Sequence, residues 1–279
     1  MTIAADTQIH PLAVVEPGAT IGAGCKIGPF CTVGPEVVLE KNVELISHVS
    51  IMGATTVGEG CRIFPGAVLG ADPQNLKHRG GRSTLSVGRN CVIREAVTLH
   101  RGTDVSRGAT AIGDDCYLMA YSHVAHDCVV GNNVTMANGA TLGGHCEIGD
   151  RVTIGGLTAV HQFVRIGERA FVGGGSAVVG DIIPYAIAVG NRAKLRGFNI
   201  IGLRRAGMDK AEIHRMRAAY RAIFDPARPV AENLEAAARD YSDSPSVRAI
   251  IDFMSSRGKR HFTVPPLANG GDDGQDEAA

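Results

Sequence analysis

Four of the chain's ten histidines fall within 39 residues: His123, His126, His145 and His161. Asp127 follows His126, and Gln162 follows His161. An imidazole beside a carboxylate is the arrangement of a general base held in one tautomer. Three or four converging imidazoles can instead bind zinc. Either chemistry requires the four rings to meet, and their spacing places them on no single face of one helix or one strand.

The element that could bring them together is a repeat. Aliphatic residues recur every sixth position from Ile9 to Leu69, again at Val87, Ile93 and Leu99, and then from Ile112 to Val178. In all 26 hexads the first position is Ile, Val, Leu or Met. The fifth position is also small or apolar and holds all seven cysteines: Cys25, Cys31, Cys61, Cys91, Cys116, Cys128 and Cys146. Cysteine is read there as a core filler, since an odd count without CxxC supports neither a disulfide framework nor a zinc ribbon. Half of the second positions are glycine, where a corner follows a short strand. A six-residue period is too short for a helix pair and does not fit a 3.6-residue helix. It predicts a parallel β-helix in which three hexads form one triangular coil of 18 residues, and coils stack about 4.8 Å apart.

The composition agrees. With 36 glycines, 5% aromatics and no tryptophan in 279 residues, the core must be narrow and built from small aliphatics. Two segments leave the register, about 71–84 and 101–111, and are read as loops extruded from the coil. The β-helix is assigned to 1–190 and a small helical domain to 191–264. Asp209 is placed to cap a helix presenting Ile213, Met216, Tyr220, Ile223 and Phe224, with further helices expected over 229–241 and 244–257. The acidic tail, 265–279, is expected to be disordered.

Net charge is zero, 28 basic against 28 acidic residues, which argues against a nucleic-acid coat. The balance is uneven, since 191–264 holds 15 Lys or Arg and 8 Asp or Glu. There is no apolar run of membrane-spanning length and no signal-like N-terminus, so a cytoplasmic protein is expected.

An 18-residue coil turns numbers into neighbours. Gly144 lies one coil from His126 and Gln162 two, while His145 lies one coil from Asp127. His126, His145 and His161 should therefore share one edge within about 10 Å, with His123 three residues before His126 on the same coil. His10, His48, His100, His214 and His261 are read as polar turn or surface residues.

On these residues a resemblance emerges. The segment His123, Val124, Ala125, His126, Asp127, Cys128, with His161, Gln162, Phe163 and Gly197, Phe198, Asn199, Ile200, resembles the UDP-N-acetylglucosamine acyltransferases that begin lipid A synthesis in Gram-negative bacteria. His10–Pro11, the run Ile27–Gly28–Pro29–Phe30, Ile93–Arg94–Glu95 and His100–Arg101–Gly102 match too. The likeness extends to about residue 260. The related N-acyltransferase has an extra N-terminal uridine-binding domain, for which hexads starting at Ile9 leave no room. The resemblance implies a left-handed β-helix, a homotrimer with sites in clefts between subunits, and no cofactor or metal. The implied reaction moves an (R)-3-hydroxyacyl chain from acyl carrier protein to the 3-position of UDP-N-acetylglucosamine.

By the same resemblance His126 matches the general base, Asp127 its orienting carboxylate, and Gly144 the residue whose N–H stabilises the oxyanion. Gln74, Asn75, Lys77, His123, His145, His161, Gln162, Asn199, Arg204 and Arg205 match substrate-binding positions. The basic helical domain suits an acidic carrier protein or a phosphopantetheine phosphate. Gly174 falls where acyl-chain length is set and, lacking a side chain, implies a long chain. The sequence departs from the pattern at Asn75, where many members carry aspartate, at Ile201, where a carboxylate is frequent, and at Ala206, which shortens the basic run. The first departure opens the 3-amino sugar nucleotide as an alternative acceptor. Two other classes stay in view: a zinc enzyme of the carbonic anhydrase kind, which metal analysis would reveal, and a non-catalytic scaffold that binds neither donor nor acceptor.

Overall fold

The computed structural model describes residues 2–256 and 258–266. Two-residue strands, each ending on the inward aliphatic, recur every six residues, and each pairs in parallel with the strand one coil away. Thr2–Ile3 pairs with Thr20–Ile21, so the coil begins one hexad earlier than the run from Ile9 indicates. Among the described residues the three faces hold 9, 11 and 9 strands. First-position aliphatics such as Ile21, Leu39, Ile63, Leu99, Met136 and Ile154 are buried in the central column.

The cysteines line that column and do more than fill space. The Cys61 thiol donates to the Gly88 carbonyl at 3.0 Å, Cys91 to Gly113 at 3.1 Å, and Cys128 to Gly143 at 3.2 Å. Thr158 makes the equivalent bond to Gly173 at 3.1 Å. The fifth position thus favours a small side chain that satisfies a turn carbonyl of the next coil. The second-position glycines answer to close packing: a Cβ on Gly28 would stand 1.8 Å from the Ile46 carbonyl oxygen. The left-handed residue of each turn falls two positions later, as at Asp127 (φ 60°), His145 (φ 62°) and Phe163 (φ 67°).

Register across the extrusions shows where they begin and end. Ala54–Val57 pairs with Thr84–Val87, which pairs with Ala109–Ile112. The two intervals exceed a coil by twelve and seven residues, and the extruded loops are 72–83 and 101–108.

The last sheet closes with Ala186–Val189 and the antiparallel Lys194–Phe198. Four helices follow: α1 (Ile200–Arg205), α2 (Lys210–Ile223), α3 (Val230–Asp240) and α4 (Pro245–Ser255). Asp209 caps α2 through Ala211 N–H, and Ser244 caps α4 through Val247 N–H. Ile213, Met216, Ala219 and Ile223 form the buried face of α2, while Phe224 is its C-cap. After α4 the chain returns to the solenoid. Phe262 bridges Asp181, and the buried Asp181 carboxylate binds the Arg165 guanidinium at 2.8 Å. Arg165 also donates to the Ser256 carbonyl at 2.8 Å. The segment 258–262 is held along one edge by the Asp181 N–H bond to the His261 carbonyl at 2.8 Å and the Arg260 bond to the Gln162 carbonyl at 2.9 Å. Arg257 and all of the acidic tail beyond Pro266 lie outside the described residues. No helix among the described residues is long and apolar enough to cross a membrane.

Candidate active site

His126 and Asp127 stand at the turn that follows the strand His123–Val124. His126 is 7% exposed and Asp127 1%. His126 Nδ1 is 2.8 Å from Asp127 Oδ2. Asp127 also accepts from Thr103 N–H (3.1 Å), Thr103 Oγ1 (2.7 Å) and Gly108 N–H (3.1 Å), both residues of the second loop. Burial alone would raise this carboxyl, but the bonds from Thr103 and His126 outweigh it and hold it below the usual range. An ionised Asp127 fixes Nδ1 as the protonated nitrogen, leaving Nε2 with a free lone pair.

Coil stacking places Gly144 directly against that ring. A Cβ on Gly144 would stand 2.6 Å from His126 Cε1, so the ring's seat exists only because the residue is glycine. Among the described residues the Gly144 N–H donates no hydrogen bond to the backbone or to a side chain. His145 meets His126 edge to face at 5.1 Å and stacks on Phe163 at 4.4 Å. Its imidazole is pushed toward the neutral form chiefly by burial, against the opposing pull of Asp127.

His123 points outward from the neighbouring strand, with Nδ1 2.7 Å from Thr98 Oγ1. Burial, then His100 and His126, push its pKa down to about 4. His100, read from the sequence as a turn residue, is instead buried and packs edge-on against His123 at 4.9 Å. Its Nδ1 has no hydrogen-bond partner among the described residues. The signal for it is hidden by the second loop, whose extra seven residues displace His100 from the 18-residue spacing.

The first loop lays Asn75 over His126. Lys77 N–H donates to Asn75 Oδ1 at 2.9 Å, which turns Nδ2 toward His126 Nε2 at 3.4 Å. Gln74 and Lys77 are exposed on the same loop. Two coils from His126, His161 and Gln162 are clasped by Arg260: Nη2 lies 2.6 Å from His161 Nδ1, and Nε donates to the Gln162 carbonyl at 2.9 Å. Lys259 Nζ sits 4.3 Å from the centroid of the Phe163 ring. Neither cation is marked out by the sequence, because the returning segment carries no periodic register. A cavity of about 540 Å³ opens beside His145, and its lining includes Arg107, Phe163, Arg165 and Lys259.

Three predicted binding residues are not brought to this group by the single chain. Asn199 caps α1 through Gly202 N–H at 2.9 Å, and Arg204 and Arg205 are exposed at the end of that helix. Among the described residues no hydrogen bond, ion pair or ring contact joins them to His126. Gly174 lies on the adjacent edge of the prism, where a Cβ would be 3.2 Å from the Gly156 carbonyl oxygen. Between the two edges the outward strand residues above His123 are Thr141, Ala159 and Ala177, all small.

Potential ligand atoms of His126, Asp127 and His145 lie within 4.8 Å of one another. Both Asp127 oxygens, however, already accept hydrogen bonds from Thr103 and Gly108 or His126, so a cation there would have to displace them. The donor set fits a positioned general base better than a metal centre.

The comparisons with known proteins agree with this geometry. Residues 181–263 match the family model described as UDP-N-acetylglucosamine O-acyltransferase, domain 2, and residues 1–35 and 109–144 match the bacterial transferase hexapeptide model. An acyl-[acyl-carrier-protein]–UDP-N-acetylglucosamine O-acyltransferase of Mesorhizobium japonicum is 62% identical over 99% of this chain and 100% of its own. One from Bartonella bacilliformis is 52% identical over 94% of this chain and 96% of its own. A crystal structure of a UDP-N-acetylglucosamine acyltransferase superposes with a TM-score of 0.90 at 40% identity, covering 93% of this chain and 100% of that one. The Campylobacter jejuni structure gives 0.87 at 38% identity, covering 93% and 100%. The fold is a left-handed β-helix with a C-terminal helical domain. With its dyad, its glycine seat and these likenesses, the chain belongs to the family of UDP-N-acetylglucosamine O-acyltransferases.

Proposed function

We propose that this enzyme transfers an (R)-3-hydroxyacyl group from acyl carrier protein to the 3-hydroxyl of UDP-N-acetylglucosamine, the first step of lipid A synthesis, with His126 as general base. The observation that carries the assignment is the His126–Asp127 dyad seated on Gly144. Nε2 takes the acceptor proton as the sugar oxygen attacks the thioester carbon. The Gly144 N–H stabilises the resulting oxyanion, a contribution worth about 10²–10³ in rate. Collapse expels the thiolate, which recovers the proton from His126. No enzyme-bound acyl intermediate is required, and the nearby Cys128 is buried with its thiol turned to the Gly143 carbonyl.

Asn75 Nδ2 stands beside Nε2, where the acceptor's 3-substituent would lie during proton transfer. The basic lining of the cavity beside His145 suits phosphate groups of a substrate. The small residues between His123 and Gly174 suit a long acyl chain laid along the face. Gln74, Lys77, His123, His145, His161 and Gln162 complete the substrate surface in this reading. Asn199, Arg204 and Arg205 would come from a neighbouring copy in a homotrimer. Leu12, Phe30, Tyr121 and Leu157 are exposed at turns along one edge and would be covered by such packing. The reading implies a cytoplasmic enzyme.

A second acceptor is favoured by one residue. Asn75 offers a neutral amide instead of a carboxylate beside the reacting position, which accommodates a 3-amino sugar nucleotide. The deciding experiment assays both acceptors with hydroxyacyl carrier proteins of several chain lengths, using wild type and His126→Ala verified as folded. Loss of about 10²–10⁴-fold in kcat is expected for the variant. Undiminished turnover by His126→Ala would refute the general-base role, and stoichiometric zinc in the purified protein would favour the metalloenzyme.

A further inference from the structure

The two extruded loops are tied to each other by one side chain. Asp104, in the second loop, accepts from His78 Nδ1 at 3.0 Å, from Arg79 N–H at 3.1 Å and from Gly81 N–H at 2.8 Å, all in the first loop. The approach is so close that a Cβ on Gly81 would stand 2.6 Å from Asp104 Cβ. These bonds hold the Asp104 carboxyl below its usual range, the Gly81 N–H being the largest favourable contributor. At the root of the first loop, Arg101 pairs with Asp72. On the other side, Asp127 holds the second loop through Thr103 and Gly108.

Together these bonds close a circuit. It leaves the catalytic dyad at Asp127, passes through Thr103 to Asp104, crosses to His78, Arg79 and Gly81, and returns through Asn75 to His126 Nε2. The first loop has no hydrophobic register of its own, and Leu76, its one large aliphatic, is fully exposed. Its position over the base therefore depends on side-chain-to-backbone hydrogen bonds.

We infer that Asp104 is a positioning residue of this enzyme, which holds the loop 72–83 so that Asn75 and Lys77 face the reacting atoms above His126. It touches no reacting atom itself and acts through the loop. The inference rests on the acyltransferase reading for its kinetic part, while the docking of the loop can be measured without any substrate.

The test uses two variants that undock the loop by different means. Asp104→Ala removes the acceptor, and Gly81→Ala keeps the carboxylate but blocks its approach. Amide hydrogen exchange over 72–83 should accelerate in both, with thermal unfolding of the solenoid unchanged, because neither residue lies in the central column. With hydroxyacyl carrier protein and UDP-N-acetylglucosamine, kcat/KM should fall roughly ten- to hundredfold, as expected for lost orientation. In an Asn75→Ala, Lys77→Ala background the further loss on adding Asp104→Ala should largely vanish, since the groups it positions are gone. A purely structural role would give the same loss in both backgrounds. Unchanged exchange in both variants, or an undiminished effect in the doubly substituted background, overturns the inference. Inactive wild type would overturn the acyltransferase reading alone, because accelerated exchange would still report the loop's tether.

Discussion

The imidazole of His126 occupies the space that a β-carbon on Gly144 would need, one coil farther along the solenoid, with 2.6 Å left to Cε1. The proposed base and oxyanion donor are thus set by one stacking contact between two turns. Gly144→Ala must push the ring off its seat or shift the turn, and either move spoils the alignment with Asp127. We expect kcat to fall at least about 100-fold, while thermal unfolding changes little, since the position, although buried against His126, lies in a turn outside the central column. Near-wild-type turnover would show that the ring has another seat.

The imidazoles around the dyad make stability depend on pH. Partial burial, above all, pushes His123 down to about 4 in the fold, against about 6.5 in an unfolded chain. His100 and His145 are pushed in the same direction, again mainly by burial. Between those values the unfolded chain binds protons that the native state does not. Stability is therefore full above about pH 6.5 and declines as pH falls toward 4. His123→Asn removes the most strongly shifted of the three, so its unfolding free energy should fall less steeply across that window, by up to about 3 kcal/mol. Chemical denaturation of both proteins at about pH 7 and about pH 4.5 checks this, and parallel pH dependences would contradict it.

Arg260 sets the tautomer of His161. A guanidinium has no acceptor, so the contact at 2.6 Å is a hydrogen bond only with Nδ1 unprotonated and Nε2–H a donor. The Gln162 carbonyl oxygen, 3.2 Å from the same Nδ1, would accept from the other tautomer, but the shorter, charged contact decides. Nitrogen-15 spectra of histidine-labelled protein should show this tautomer for His161 and a mixed population in Arg260→Gln. If His161 binds substrate in that form, KM should rise roughly tenfold with kcat much less affected. A changed tautomer with unchanged KM would remove His161 from the substrate surface.

Much of the fold is legible in the sequence because the hexads repeat one physical requirement at every turn. First-position aliphatics must face inward, and the 18-residue coil then puts Gly144 and His145 beside the dyad from their numbering alone. The Asp209 cap is legible for a similarly local reason, since it bonds an N–H two residues away. His100 is not legible. Its neighbour His123 is 23 residues away, an interval set by the second loop's insertion, and its burial has no periodic signature.

By itself, then, the sequence determined what lies inside the prism and which turns stack, since a period of six leaves one arrangement that buries every aliphatic. Only the tertiary structure decided what covers His126. The extruded loops and the returning segment at Lys259 and Arg260 have no repeating apolar pattern to place them. They are held by a few hydrogen bonds to Asp104, Asp127, His161 and Gln162, between residues 19 to 99 positions apart. Contacts of that range depend on where the rigid solenoid presents each acceptor, and that becomes definite only once the coils have stacked.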